Sequence, residues 1–221
     1  VSSRPVNPNV RRLSTPRAAA VAGVLFALLF GTVLVLIRLA LPEGDEAGSQ
    51  WLREGSVNLR VAATIMPFAG IAFLWFMGVV RDGLGRYEDK FFGTVFIGSG
   101  LLFLGMMFVA AGVGAGLERS HVAGNPDVAT FGQMMLVVIS NTYALRMAAV
   151  FMMSLATIWL KTGLMPRWLV GVTYVVAVGL LLASDISMWL TLAFPVWVLV
   201  VSVLLLVRAG VIDLDRNLSP E

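Results

Sequence analysis

The chain has 221 residues, 58% of them hydrophobic and only 13% charged, with a formal net charge of +3 and a mean hydropathy of +0.88. Soluble domains carry roughly 25% charged residues, so this much apolar surface is hidden only in lipid, and the chain reads as an integral membrane protein. With no cysteine and one histidine, His121, it excludes disulfides, thiolate metal sites and a bis-histidine haem within one chain. No cofactor is implied, and arginines scattered at helix ends exclude a nucleic-acid stripe.

Residues 1–16 are rich in Pro, Ser, Asn and Arg and read as a disordered tail. The first apolar run, 18–41, is too long for a signal-peptide core and lacks a small-x-small cleavage site, so it reads as a retained helix. Further spans follow at 61–80, 91–117, 128–160, 168–184 and 188–207, the last two separated by a short link around Asp185. The expected fold is an all-α, polytopic membrane helix bundle of six transmembrane helices over residues 17–208, with a second tail at 209–221.

Charge orients the bundle. Eleven basic residues fall in the N-tail (Arg4, Arg11, Arg12, Arg17), the second loop (Arg81, Arg86, Lys90), the fourth loop (Lys161, Arg167) and the C-tail (Arg208, Arg216). Three fall on the opposite side, Arg53, Arg60 and Arg119. The positive-inside rule then puts both termini in the cytoplasm. The outer side gathers Glu43, Asp45, Glu46, Glu54, Glu118, Asp127 and Asp185 into an acidic surface that reads first as solvated.

Small residues recur on two helices: Gly23, Ala27 and Gly31 on the first, and Gly98, Gly105 and Gly112 on the third. Such stripes let backbones approach; an intramolecular seam is the first reading and a homodimer face the second. "TPRAAAVAG" and "MPRWLVGV" open the first and fifth spans, while Pro67 and Pro195 lie about seven residues into the second and sixth. Chance is the first reading of that echo and a pair of related hairpins the second; either way each proline strands the carbonyl four residues earlier, at Ala63 and Thr191.

Arg146, in "SNTYALRMAAV", is a charge well inside a span. Fifteen residues from Lys161 place it ~22 Å above the cytoplasmic edge, hence ~8 Å below the outer surface of a ~30 Å core. Arg38, Arg60, Asn141, Tyr143 and Asp185 count to nearby levels, and Thr142 shares a helix face with Arg146. The six residues Arg146, Arg38, Arg60, Asn141, Tyr143 and Asp185 form the candidate site. Intramembrane charge is costly and is a functional hypothesis by default. Its partner is either protein (Asp185 or the freed carbonyls) or a ligand, a lipid headgroup or small anion drawn by the excess of arginine.

Enzymatic signatures are missing. The Gly98–Gly100 "GSG" has no histidine base in any span, and there is no HExxH, P-loop or pair of intramembrane carboxylates. The eleven methionines read as packing filler, and Trp51, Trp75, Trp159, Trp168, Trp189 and Trp197 as interfacial anchors. Basic residues are almost all arginine, and Ala, Gly and Val abound, which indicates a bacterial cytoplasmic membrane.

The segment "LRMAAVFMMSLATIWLKTGLMPRWLVGVTYVVAVGLLL", with Arg146 ahead of the Pro-Arg-Trp-Leu turn at 166–169, resembles small six-helix membrane proteins of actinobacteria and related bacteria, grouped as a domain of unknown function. The resemblance covers the second half of the chain and implies a fold and a bacterial membrane, with no activity. The expected function is a non-enzymatic binding or accessory bundle with an outer-leaflet polar pocket. A transporter or channel subunit working through proline-kinked helices, and a membrane enzyme built around Arg146, Tyr143 and Asp185, are the alternatives.

Overall fold

The apolar runs become six helices. The computed structural model describes residues 15–41, 55–84, 90–120, 125–183 and 188–217, with the backbone alone described at 15–19, 84, 183, 188–189 and 208–217. The helices are α1 (Thr15–Ala40), α2 (Ser56–Leu84), α3 (Lys90–Arg119), α4 (Pro126–Thr162), α5 (Arg167–Ala183) and α6 (Ala193–Asn217), the last preceded by a 3₁₀ turn at Met188–Leu192. Helices α1 to α4 and α6 are long and apolar enough to cross a membrane. Helix α5, with 17 residues, rises ~26 Å, near the lower end of the spanning range. Asp185, His121 and the acidic residues Glu43, Asp45, Glu46 and Glu54 lie outside the described residues.

Local chemistry sets the ends of α4. Asn125 caps it, accepting from the Val128 N–H at 3.4 Å, with Pro126 and Asp127 in the first turn. Gly163 closes it in the left-handed region (φ 67°), its N–H bonding the Trp159 carbonyl at 2.9 Å. The Pro166 carbonyl then accepts from Leu169 (3.0 Å) and Val170 (3.3 Å) and starts α5. Within α4, Val138–Ala144 is wound as π-helix, a form found mostly as single wide turns in α-helices.

The inward face of α3 repeats in steps of three and four: Gly93, Phe96, Gly100, Phe103, Met107, Ala110, Gly114 and Leu117 are all buried. That 3.5-residue period is the left-handed bundle pattern, in which one seam stays on its neighbours. Gly98, Gly105 and Gly112 fall on the opposite face, where a Cβ would meet nothing within 4 Å. Gly23 of α1 behaves differently. A Cβ there would strike Ser202 of α6 and approach Phe76 of α2 to 2.8 Å, so the first stripe is used inside the chain.

From α1 to α5 each helix packs on the next, α1 on α2 most extensively, and α6 returns to α1. Consecutive α5 and α6 barely touch, and their link is the Trp197 indole donating to Thr173 Oγ1 at 2.9 Å. The α1–α2 and α5–α6 hairpins therefore pack unlike one another. Pro195 departs from expectation. It sits in the first turn of α6, after the 3₁₀ turn, where a missing N–H costs little.

Phenyl rings fill the centre. Phe26 and Phe30 of α1, Phe73 of α2, Phe103 of α3, Phe151 of α4 and Phe194 of α6 are each 0% exposed. Phe73 alone meets Phe26, Phe103 and Phe151 at centroid distances of 4.7, 5.4 and 5.3 Å. Two tryptophans expected as interfacial anchors join this core: Trp159 and Trp197 are buried, with centroids 6.1 Å apart. Trp75 and Trp168 are exposed and fit the lipid-facing role.

Candidate functional site

A cleft runs along α2 and α3, with a volume of about 390 Å³. Its mouth holds Arg60 of α2 and Glu118 and Arg119 of α3; its walls are Ala63, Thr64, Ala111 and Ala115, and its floor Met66, Pro67, Gly112 and Phe108. Two local features open it and a third closes its far end. Gly112 and Ala115 put almost no side chain on α3, and a Cβ on Gly112 would enter empty space. Pro67 lies inside α2 and denies the Ala63 carbonyl its helical donor, so one wall exposes an acceptor. At the deep end the Phe108 ring lies against Gly70, where a Cβ would come within 2.8 Å of Cε1, and this ring stops the cleft.

The mouth is electrostatically organised. The Arg60 Nε donates to Glu118 Oε1 at 3.1 Å, and Nη2 bonds the same oxygen. The Glu118 side chain is only 10% exposed, whereas that of Arg60 is 66% exposed. The carboxylate is therefore sunk between the helices with the guanidinium laid over it. A guanidinium has five N–H donors; two are spent on Glu118, and the rest remain on the exposed side of Arg60. Arg119 adds a second, exposed guanidinium, so among the described residues the mouth carries one positive charge in excess.

Height along the bundle follows from two cross-sections. At one, Leu59, Gly114 and Leu136 meet; at the other, Met77, Gly100 and Phe151 meet. Arg60 and Glu118 belong to the first. Arg146 lies ten residues beyond Leu136, so it stands ~14 Å farther toward the other end. On α2, Arg60 and Arg81 bracket an apolar stretch of ~31 Å, the thickness of a hydrocarbon core. Against that frame Arg146 falls near the middle of the bundle and is not level with Arg60, a correction of the sequence count. Counting inward from Lys161 assumed that α4 ends flush with its neighbours, whereas interhelical packing sets the offset.

The remaining predicted residues separate similarly. Asn141 is buried in the π segment, accepting from the Ser140 hydroxyl at 3.3 Å, while Ser140 also donates to the Leu136 carbonyl at 2.7 Å. Tyr143 is exposed. Arg146 is half-buried and engaged in an interaction of its own. Arg38 occupies the last turn of α1 with its Nε in the interior, and Asp185 is outside the described residues. Of the predicted six, the cleft contains Arg60 alone.

Reasoning from sequence missed Glu118 and Arg119, which it read as surface charge. The signal was available in the α2–α3 hairpin: Met77 meets Gly100, Gly70 meets Phe108, and one more step of that antiparallel register brings Arg60 to Glu118. The "GSG" serine is structural. Ser99 is buried and its hydroxyl donates to the Val95 carbonyl at 2.6 Å. No group of His, Asp or Glu suited to a metal occurs among the described residues.

Fold and composition define a multi-pass, all-helical membrane protein. No protein-family model, curated protein or solved structure matches the chain.

Proposed function

We propose that the protein is a non-enzymatic binding or accessory bundle of a bacterial cytoplasmic membrane, with both termini cytoplasmic and an outward-facing site for an anionic group, either a lipid headgroup or a small anion. The observation that carries this reading is the α2–α3 cleft, which has two guanidiniums at its mouth, one carboxylate to hold one of them, and apolar walls below. Excess arginine at the head of an apolar slot favours phosphate or carboxylate. The second-half resemblance to small six-helix bacterial membrane proteins is consistent with it and supplies no activity.

The centre of the bundle speaks against a conduit. Six fully buried phenyl rings occupy it, and a hydrated path would need polar lining there. The buried hydroxyls of Ser99, Ser154, Thr173 and Ser202 each bond a carbonyl of their own helix, so they are not arranged as a relay.

The test is binding of anionic against zwitterionic lipid to purified protein, by native mass spectrometry. Wild type retains phosphatidylglycerol over phosphatidylcholine, and Arg60→Ala/Arg119→Ala loses that preference. Equal retention of both lipids by wild type would overturn the reading.

A further inference from the structure

The mouth and the slot beneath it are separate chemical features, and together they specify more than an anion. From Glu118 to Phe108 is ten helical residues, a rise of ~15 Å, which is half of a ~30 Å hydrocarbon core. The cleft therefore begins at the charged boundary marked by Arg60 and ends at the Phe108 ring, one leaflet deep. Its volume of about 390 Å³ is at the small end of ligand sites, ~300–1,000 Å³, enough for one narrow chain and too little for a bulky ring system in addition to a head. Its lower walls are alanine, glycine, methionine, proline and phenylalanine with one hydroxyl, that of Thr64, which donates to the Arg60 carbonyl at 2.9 Å, and no charge lies below Glu118.

We infer that the cleft holds a phospholipid-type amphiphile, with its phosphate between Arg60 and Arg119 and one acyl chain lying over Gly112 toward Phe108. The inference deepens the anion-binding reading and rests on it. Glu118 is then a positioning residue. By taking the Nε and Nη2 donors of Arg60 it fixes the guanidinium plane across the mouth and leaves the outer donors for a phosphate oxygen, while its own charge is compensated by that same arginine. Arg119, on the next residue of α3, offers the second fork. Gly112 is the chain-admitting position because its missing side chain is what keeps the slot open. A soluble anion would use the mouth alone and would be indifferent to residue 112.

That difference supplies the experiment. Purified protein in detergent is titrated with lysophosphatidylglycerol and, separately, with glycerol 3-phosphate, with wild type compared with Gly112→Leu and Arg119→Ala. Leucine replaces a helical glycine in open space, so Gly112→Leu folds at least as well as wild type, which thermal unfolding verifies. The lysolipid is expected to bind at least tenfold more tightly than glycerol 3-phosphate. Gly112→Leu should lower lysolipid affinity about tenfold and leave glycerol 3-phosphate unchanged, whereas Arg119→Ala should weaken both. If the two ligands bind alike and Gly112→Leu changes neither, the chain-binding inference is overturned while the anion site stands. If neither ligand binds wild type, both are overturned.

Discussion

Replacing Phe73 by alanine removes the ring that ties five others together. Phe73 is 0% exposed and meets Phe26, Phe76, Phe103, Phe151 and Phe194 at centroid distances of 4.7, 6.4, 5.4, 5.3 and 6.1 Å. In water-soluble cores Phe→Ala costs about 3–5 kcal/mol, combining a transfer term and a cavity term. In lipid the transfer term shrinks, because the unfolded helices still expose the ring to hydrocarbon. Ring–ring contacts of ~0.5 kcal/mol each and the unfilled cavity remain, so the expected loss is about 2–4 kcal/mol. Trp75, about half a turn from Phe73 on the opposite face of α2 and 67% exposed, is the matched control: Trp75→Ala should cost below ~0.5 kcal/mol. Reversible unfolding in mixed micelles measures both. If Phe73→Ala destabilises no more than Trp75→Ala, the phenyl cluster is not the packing centre, and the argument that it closes the bundle fails with it.

Three further outcomes are expected. Trp197→Phe keeps an aromatic ring but truncates the indole and loses the donor to Thr173; a loss of at least about 1 kcal/mol is expected, and Thr173→Val on that background should add little in a double-mutant cycle. Gly23→Val drives a side chain into Ser202 and Phe76 and should destabilise by about 1–3 kcal/mol, with Ser202→Gly recovering part of it. The chain has no native cysteine, so Gly83→Cys and Gly116→Cys, both in open space, report orientation: in intact cells an impermeant maleimide should label position 116 and spare position 83. The reverse pattern would invert the proposed topology.

The six helices were legible because each apolar run is long, and lipid leaves the backbone no alternative to satisfying itself within a helix. The seam of α3 was misread: the glycines at 98, 105 and 112, expected to be the packed stripe, lie opposite Phe96, Phe103 and Ala110, which form the buried face. What sequence could not supply was the offset between helices. Arg146 was counted from the end of its own helix, yet its height is set by Leu136 resting on Gly114 and Phe151 on Gly100, contacts between distant parts of the chain. The same reason hid the site. Arg60 was singled out while its partner Glu118, 58 residues away, read as solvated surface until α2 and α3 were laid antiparallel. Trp159 and Trp197 misled because tryptophan serves the interface and the core equally well, and only the neighbours decide. Pro67 and Pro195 look alike in sequence; one opens a wall of the cleft from within α2, and the other merely starts α6.

The most direct test of the central claim is a structure of the protein in phosphatidylglycerol nanodiscs. The account predicts phosphate density within hydrogen-bonding distance of both Arg60 and Arg119, and a chain running past Gly112 to end at Phe108. An empty α2–α3 cleft alongside ordered lipid elsewhere on the bundle would contradict it.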